Sequence, residues 1–320
     1  MPTRERLAAI DIGTVTTRLL VADVDDSVVR EVVRRQAITH LGEGLTDTGT
    51  LSPDAIERVA RTVGIFNDTA LDLGANRVVA YATSAARDAS NGDALLDACE
   101  ARGIRPRIIA GEREAALSFV GATYDIDGKN VLVTDVGGGS TELVLGSVTI
   151  EEEAGRQATV TFARSIDVGS RRVTELFLRS DPPTRSEVAE ASAWVAEQLR
   201  PYFGQLRARP SVMVSVAGTA TTLAAIDLAL DPYDPLRIHG YRLLGGRLAE
   251  IRAELSAMAL ERRRLLPGLD PARAGVIVGG AIVLETVLAM AGVDSTLVSE
   301  HDILYGIMLG LYRGGGEATA

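Results

Sequence analysis

The feature that most constrains this chain is a repeat. Leu7-Ala8-Ala9-Ile10-Asp11 is a short apolar run ending on a carboxylate. Ile12-Gly13-Thr14-Val15-Thr16-Thr17 turns it, and Leu19-Leu20-Val21-Ala22 resumes the apolar run. The layout returns in Leu132-Val133-Thr134-Asp135, Val136-Gly137-Gly138-Gly139-Ser140-Thr141-Glu142 and Leu143-Val144-Leu145. Apolar runs joined by Gly-rich residues read as β-hairpins, and the recurrence predicts two related units. Consecutive glycines let backbone approach a ligand and turn N–H groups towards one point, which suits phosphate oxygens. Asp11 and Asp135 at the strand ends, with Glu142 beyond the second turn, offer oxygen ligands to a hard cation such as Mg²⁺. Ordinary hairpin turns flanked by solvated carboxylates would look the same, so the turns alone leave both readings open.

Length agrees with two units, since 320 residues exceed the usual size of one core. Hydrophobic residues at 46% and charged residues at 24% are the profile of a soluble globular protein. A net charge of −10 argues against a general DNA or RNA surface. Lys129 is the only lysine, so arginine carries nearly all the positive charge, and its planar fork pairs well with phosphate. Cys99 stands alone, which excludes an internal disulfide or a cysteine-based zinc cluster. Asp11 interrupts the N-terminal apolar run, so there is no signal-peptide layout and a cytoplasmic location is expected. Gly275 to Val293 is apolar apart from Glu285. Gly279-Gly280 and Glu285 favour a helix buried in protein over a membrane span.

Along the first unit a third strand is expected near Val28 to Thr39, then a helix capped by Ser52-Pro53 and running to about Leu73. Arg77 to Ala82 and Ile104 to Ala110 read as strands, each followed by a helix, the second opening at Gly111. Polar residues from Asp125 to Asn130 place the boundary between domains 1–125 and 126–301. In the second unit Thr159 to Ala163 continues the hairpin, helices follow at 171–178 and 185–207, and Val212 to Val216 runs into Ala217-Gly218-Thr219 and a helix. Ala229 to Arg242 reads as a loop containing His239, which as a lone loop histidine is left out of the site. A strand at Ser295–Val298 and a helix over about 302–312 precede a flexible tail, 313–320.

Taken in order, five of these stretches resemble the exopolyphosphatase/guanosine-pentaphosphatase (Ppx/GppA) family of the actin/sugar-kinase/Hsp70 superfamily. They are Asp11-Ile12-Gly13-Thr14, Ala82-Thr83-Ser84-Ala85-Ala86-Arg87, Ala110-Gly111-Glu112-Arg113-Glu114-Ala115, Asp135 to Glu142, and Ala217-Gly218-Thr219. The resemblance implies an α/β fold: two actin-like (ribonuclease H-like) domains with mixed five-stranded sheets and an interdomain cleft, the last helix packing back on the first domain. It implies phosphate contacts from Gly13, Thr14, Thr16, Arg87, Gly137, Gly138, Gly139, Ser140, Gly218 and Thr219, with Asp11, Asp135 and Glu142 on Mg²⁺ or Mn²⁺. Glu114 is expected as the general base, because hydrolysis of a terminal phosphoanhydride needs a carboxylate to orient and deprotonate water. Arg172, in Gly169-Ser170-Arg171-Arg172, resembles a family arginine, and a substrate-channel role and a salt-bridged helix both remain open for it.

The chain departs from the family pattern at Val15 (usually Asn), Arg113 (usually Glu), and Leu304-Tyr305 (usually Arg-Glu). It also stops where many members continue into a helical domain, so a short, two-domain form is expected. The implied function is release of terminal phosphate from inorganic polyphosphate, with guanosine pentaphosphate (pppGpp) hydrolysis as the alternative within the family. An ATP-dependent kinase of the same superfamily would need a hydroxyl-substrate site that is not identifiable here, and a non-enzymatic nucleotide sensor is the remaining class. Apolar helices in the second unit are compatible with a homodimer.

Overall fold

The computed structural model describes residues 4–25, 28–151 and 155–313. Residues 314–320 of the expected tail lie outside them. One compact unit takes the chain up to Gly121 and resumes at Ile303; the other is Ala122–Asp302. The first junction precedes the expected position, because Ala122 ends the helix Gly111–Ala122 and Thr123 to Asp125 already belong to the second unit.

In the first unit, β1 (Glu5–Ile12), β2 (Thr16–Asp25) and β3 (Val28–Ile38) form an antiparallel meander, and β4 (Arg77–Ala82) and β5 (Arg107–Ile108) add in parallel. The sheet order is β3-β2-β1-β4-β5. β1 is central and buried from Leu7 onward, which explains its continuous apolar run. Its core packs on the helix Pro53–Asp72 through Val59, Ala60 and Val63. That helix starts as the sequence predicts: the Ser52 side chain accepts a hydrogen bond from the Ala55 amide, with Pro53 next.

The helix Ile303–Tyr312 packs against β1 and β2. A Cβ on Gly306 would fall 2.0 Å from the Leu117 carbonyl oxygen, so only glycine lets this helix approach the helix Gly111–Ala122 backbone to backbone. The neighbouring family departures are structural: Leu304 is fully buried, and Tyr305 donates its hydroxyl to Glu31 at 3.0 Å under the Arg34 guanidinium.

Among the described residues the second unit holds six strands, one more than expected: β6 (Gly128–Val136), β7 (Thr141–Glu151), β8 (Gly155–Ile166), β9 (Val212–Val216), β10 (Tyr241–Leu244) and β11 (Ser295–Val298). Their order is β10-β11-β9-β6-β7-β8. β10 is the extra strand and begins inside the stretch read as a loop. It is a four-residue edge strand pairing antiparallel with β11, too short to carry a period of its own. The helix Ile277–Ala291 is almost wholly buried, as its composition requires. Glu285, its single charge, accepts from Arg252 Nε at 2.5 Å. Among the described residues no helix is long and apolar enough to cross a membrane.

Candidate functional site

Each unit builds its glycine turn in the same way. In the first, Ile12 pairs with Thr17 across the hairpin and the Gly13 amide donates to the Thr16 carbonyl at 3.0 Å. In the second, Val136 pairs with Thr141 and the Gly137 amide donates to the Ser140 carbonyl at 3.0 Å. The two turns are also anchored alike, by their carbonyls. Thr14 O accepts from the Gly42 amide, and Val15 O from the Thr39 and His40 amides, at 2.8–2.9 Å. Gly137 O accepts from the Ser170 amide at 2.8 Å, and Gly138 O from Arg171 and Arg172 amides at 2.9 and 3.2 Å. Gly139 O accepts from Arg172 Nε at 3.0 Å.

These anchors orient the opposite edge. Both cis bonds among the described residues precede prolines elsewhere, so the turn peptides are trans and each N–H points away from the carbonyl of its own peptide plane. Carbonyls drawn towards Thr39–Gly42 therefore turn the Val15 and Thr16 amides outward. The Gly138, Gly139 and Ser140 amides turn away from the helix Ser170–Phe177 in the same manner. Successive N–H groups on one edge form an anion-binding concavity. Gly169 permits this packing, since a Cβ there would fall 2.4 Å from the Gly138 carbonyl oxygen.

The carboxylates differ between the turns. Asp11, buried, faces Arg18 across the hairpin, and its Oδ2 accepts from Arg18 Nε at 3.0 Å and Nη2 at 2.5 Å. At the equivalent place Asp135 faces Glu142, so two acids stand as cross-strand neighbours, both buried. Glu142 Oε1 accepts from Ser140 Oγ at 2.9 Å and Ser165 Oγ at 2.6 Å. Like charges placed opposite one another repel, and a bound cation relieves that repulsion.

Arg87 and Glu114, inferred separately from the sequence, touch. Arg87 Nη1 lies 3.2 Å from Glu114 Oε2 and donates to the Ile109 carbonyl at 2.9 Å. Glu114 is 8% exposed, whereas Glu112 and Arg113 on the same helix start are exposed. The Arg87 donors other than Nη1 have no partner among the described residues.

The third turn follows β9 with Ala217 at φ 64, a left-handed conformation unusual for alanine. Arg273 lies on Gly218, so closely that a Cβ there would fall 1.3 Å from Arg273 Nη1. Thr219 Oγ1 donates to the Val136 carbonyl at 2.8 Å and ties this turn to the β6–β7 hairpin. Beside it, Tyr233 donates to Glu300. Burial, and then the Glu300 carboxylate, push the Tyr233 phenol well above its ordinary pKa.

With these features in place, comparison with known proteins is decisive. The model of the Ppx/GppA phosphatase family matches residues 20–311. The chain belongs to the Ppx/GppA phosphatase family. It is 40% identical over 326 residues to Exopolyphosphatase 2 of Mycobacterium tuberculosis (strain ATCC 25618 / H37Rv), covering 96% of this chain and 98% of the relative. An exopolyphosphatase crystal structure from Cytophaga hutchinsonii superposes with a TM-score of 0.86 at 25% identity, covering 97% of this chain and 98% of that one. The Aquifex aeolicus PPX-GPPA enzyme gives 0.78 at 29% identity, covering 96% and 100%.

For this Ppx/GppA protein the geometry assigns side chains and amides different work. The hydroxyls of Ser140 and Thr219 hold neighbouring groups, and the Thr14 methyl packs against Gly42, where a Cβ would fall 2.4 Å away. The Ser140 and Thr219 hydroxyls are therefore already engaged, and the Gly138, Gly139 and Ser140 N–H groups are what their turn presents to an anion. Arg171 pairs with Glu175 at 3.2 Å, and Arg172 supports the turn. The donors of Asp11, Asp135 and Glu142 are all oxygens, which fits Mg²⁺ or Mn²⁺, although Arg18 already holds Asp11 Oδ2. Sequence reasoning missed Arg18, Ser165 and Arg273. Arg18 was accessible from hairpin register, as the counterpart of Glu142; Ser165 and Arg273 carry no local signal.

Proposed function

We propose that this chain is an exopolyphosphatase, releasing the terminal phosphate of inorganic polyphosphate by attack of water. The observation that carries the reading is the buried Glu114 carboxylate held by Arg87, whose other donors remain available to a phosphate. Water bonds to the terminal phosphorus as the bridging P–O bond breaks. The electron pair leaves on the shortened chain, and the proton of water passes to Glu114. The outward amide of Val15 in the first unit, and those of Gly138, Gly139 and Ser140 in the second, each suit phosphoryl oxygens, over which the charge spreads. Asp135 and Glu142, cross-strand neighbours, would hold Mg²⁺ or Mn²⁺. When bound, such an ion supplies compensation for the negative charge of the phosphates. Similarity to Exopolyphosphatase 2 supports this substrate class.

The test is a product time course on polyphosphates of defined length, with and without Mg²⁺, beside pppGpp and ATP. Terminal cleavage yields orthophosphate from the first turnover and chains shortened by one unit. Asp135→Asn should weaken the Mg²⁺ dependence, because an amide holds a hydrated divalent cation poorly. Phosphate release from ATP but not from polyphosphate would overturn the reading. Release from pppGpp alone would move the substrate within the family.

A further inference from the structure

Two of the three histidines in the chain, neither of them among the proposed catalytic or phosphate-binding groups, meet one carboxylate. Asp125 Oδ2 lies 2.6 Å from His239 Nε2, and its Oδ1 3.3 Å from His301 Nδ1. The imidazole centroids are 4.2 Å apart, and one ligand atom from each residue lies within 4.8 Å of the other two. We propose that Asp125, His239 and His301 form a binding site for a divalent transition-metal ion of the Zn²⁺ class. Two imidazole nitrogens and one carboxylate oxygen suit zinc or its neighbours and disfavour Mg²⁺ and Ca²⁺. Tetrahedral coordination with bonds of ~2.0–2.1 Å sets ligand atoms ~3.3 Å apart; the Asp125–His239 pair at 2.6 Å must open, the Asp125–His301 pair is already at 3.3 Å, and the 4.8 Å limit bounds any closing shift.

The surroundings support the assignment. The imidazoles are partly exposed, at 27% and 18% of their side-chain area, so an ion can enter. The ring of His301 is steadied edge-on by Tyr124, 5.3 Å between centroids. The Glu300 amide donates to His239 Nδ1 at 3.3 Å, which leaves the proton on Nε2. An ion on Nε2 displaces that proton to Nδ1, so this long amide contact is the one that gives way, with no net change in protons.

The position suggests what the ion does. Asp125 lies just past the point where the chain enters the second unit, and His301 just before it leaves. An ion on both, with His239 from the segment ahead of β10, would close a loop spanning nearly the whole unit. Cross-links over long loops constrain the unfolded chain, and metal binding to a folded site adds to folding free energy.

The test uses the full chain, chelator-treated and in phosphate-free buffer, titrated with Co²⁺ and with Zn²⁺. One equivalent of Co²⁺ should give a saturable visible band that Zn²⁺ displaces, and Zn²⁺ should raise the unfolding midpoint. His239→Ala and His301→Ala should each weaken binding by about 100-fold or more and abolish the thermal shift. Asp135→Asn should leave the band unchanged, which separates this site from the cation implied in catalysis. No saturable band in the parent protein would overturn the proposal without recourse to variants. So would a band that persists in a folded His239→Ala/His301→Ala double variant.

Discussion

Gly169→Ala isolates how the second glycine turn is held. Gly169 has φ −140 and ψ 167, extended backbone that alanine adopts without strain, so the substitution tests sterics alone. Its new Cβ would fall 2.4 Å from the Gly138 carbonyl oxygen, 2.5 Å from the Gly138 carbonyl carbon and 2.6 Å from that of Gly139. Ordinary contact starts at 3.4 Å, so one side must yield by about 1 Å. The helix that follows Gly169 has little freedom, because a Cβ on Gly279 would already fall 2.4 Å from Ser170 O. The 138–139 peptide therefore moves, and with it the amides proposed to face phosphate. A misplacement of ~1 Å costs up to about 100-fold in rate, whereas local overpacking costs ~1–3 kcal/mol of stability. The assay is kcat/KM for phosphate release from a short polyphosphate, read beside the unfolding midpoint. Gly246→Ala is the control, since nothing lies within 4 Å of its added Cβ. A folded Gly169→Ala protein with kcat/KM within about twofold of the parent would refute the view that the turn amides bind phosphate.

Three further outcomes are expected. Glu114→Gln should lower single-turnover phosphate release by about 10²–10⁴-fold with little change in affinity, while the exposed Glu112→Gln should match the parent; equal rates in parent and Glu114→Gln would remove the base assignment. Arg87→Ala should raise KM and also lower kcat, because it takes away both a proposed phosphate donor and the partner of Glu114; a pure KM effect would show that the ion pair does not matter to chemistry. Hydrogen bonds from Arg6, and more weakly from Arg4, outweigh burial and lower the Asp23 carboxyl from 3.8 to about 2. Its contribution of about 2 kcal/mol is complete above pH ~4 and is lost as pH falls towards 2. Asp23→Asn should flatten that part of the stability–pH curve, and an unchanged acid limb would contradict it.

The sequence by itself determined whatever local order encodes. Alternating strand and turn chemistry around Asp11 and Asp135 announced two hairpins, and Ser52-Pro53 announced a helix start. Gly279-Gly280 with Glu285 announced a buried helix rather than a membrane span. Family resemblance then supplied the α/β class and pointed to Glu114 as base. Tertiary structure decided the contacts between residues far apart in the chain. Arg87 and Glu114 are separated by 27 positions and became a pair only when folding brought their side chains together. Arg273 reached Gly218 from the end of a short 3-10 helix, Pro271–Arg273, whose local cap says nothing of a partner so distant in the chain, and β10 became a strand because β11 presented an edge to it. His239 looked like a lone loop histidine until folding brought His301 and Asp125 beside it, the latter pair 176 positions apart. The physical reason is the same throughout. Hydrogen-bond register and side-chain period act over a few residues, whereas ion pairs and ligand clusters depend on which surfaces the buried core brings together.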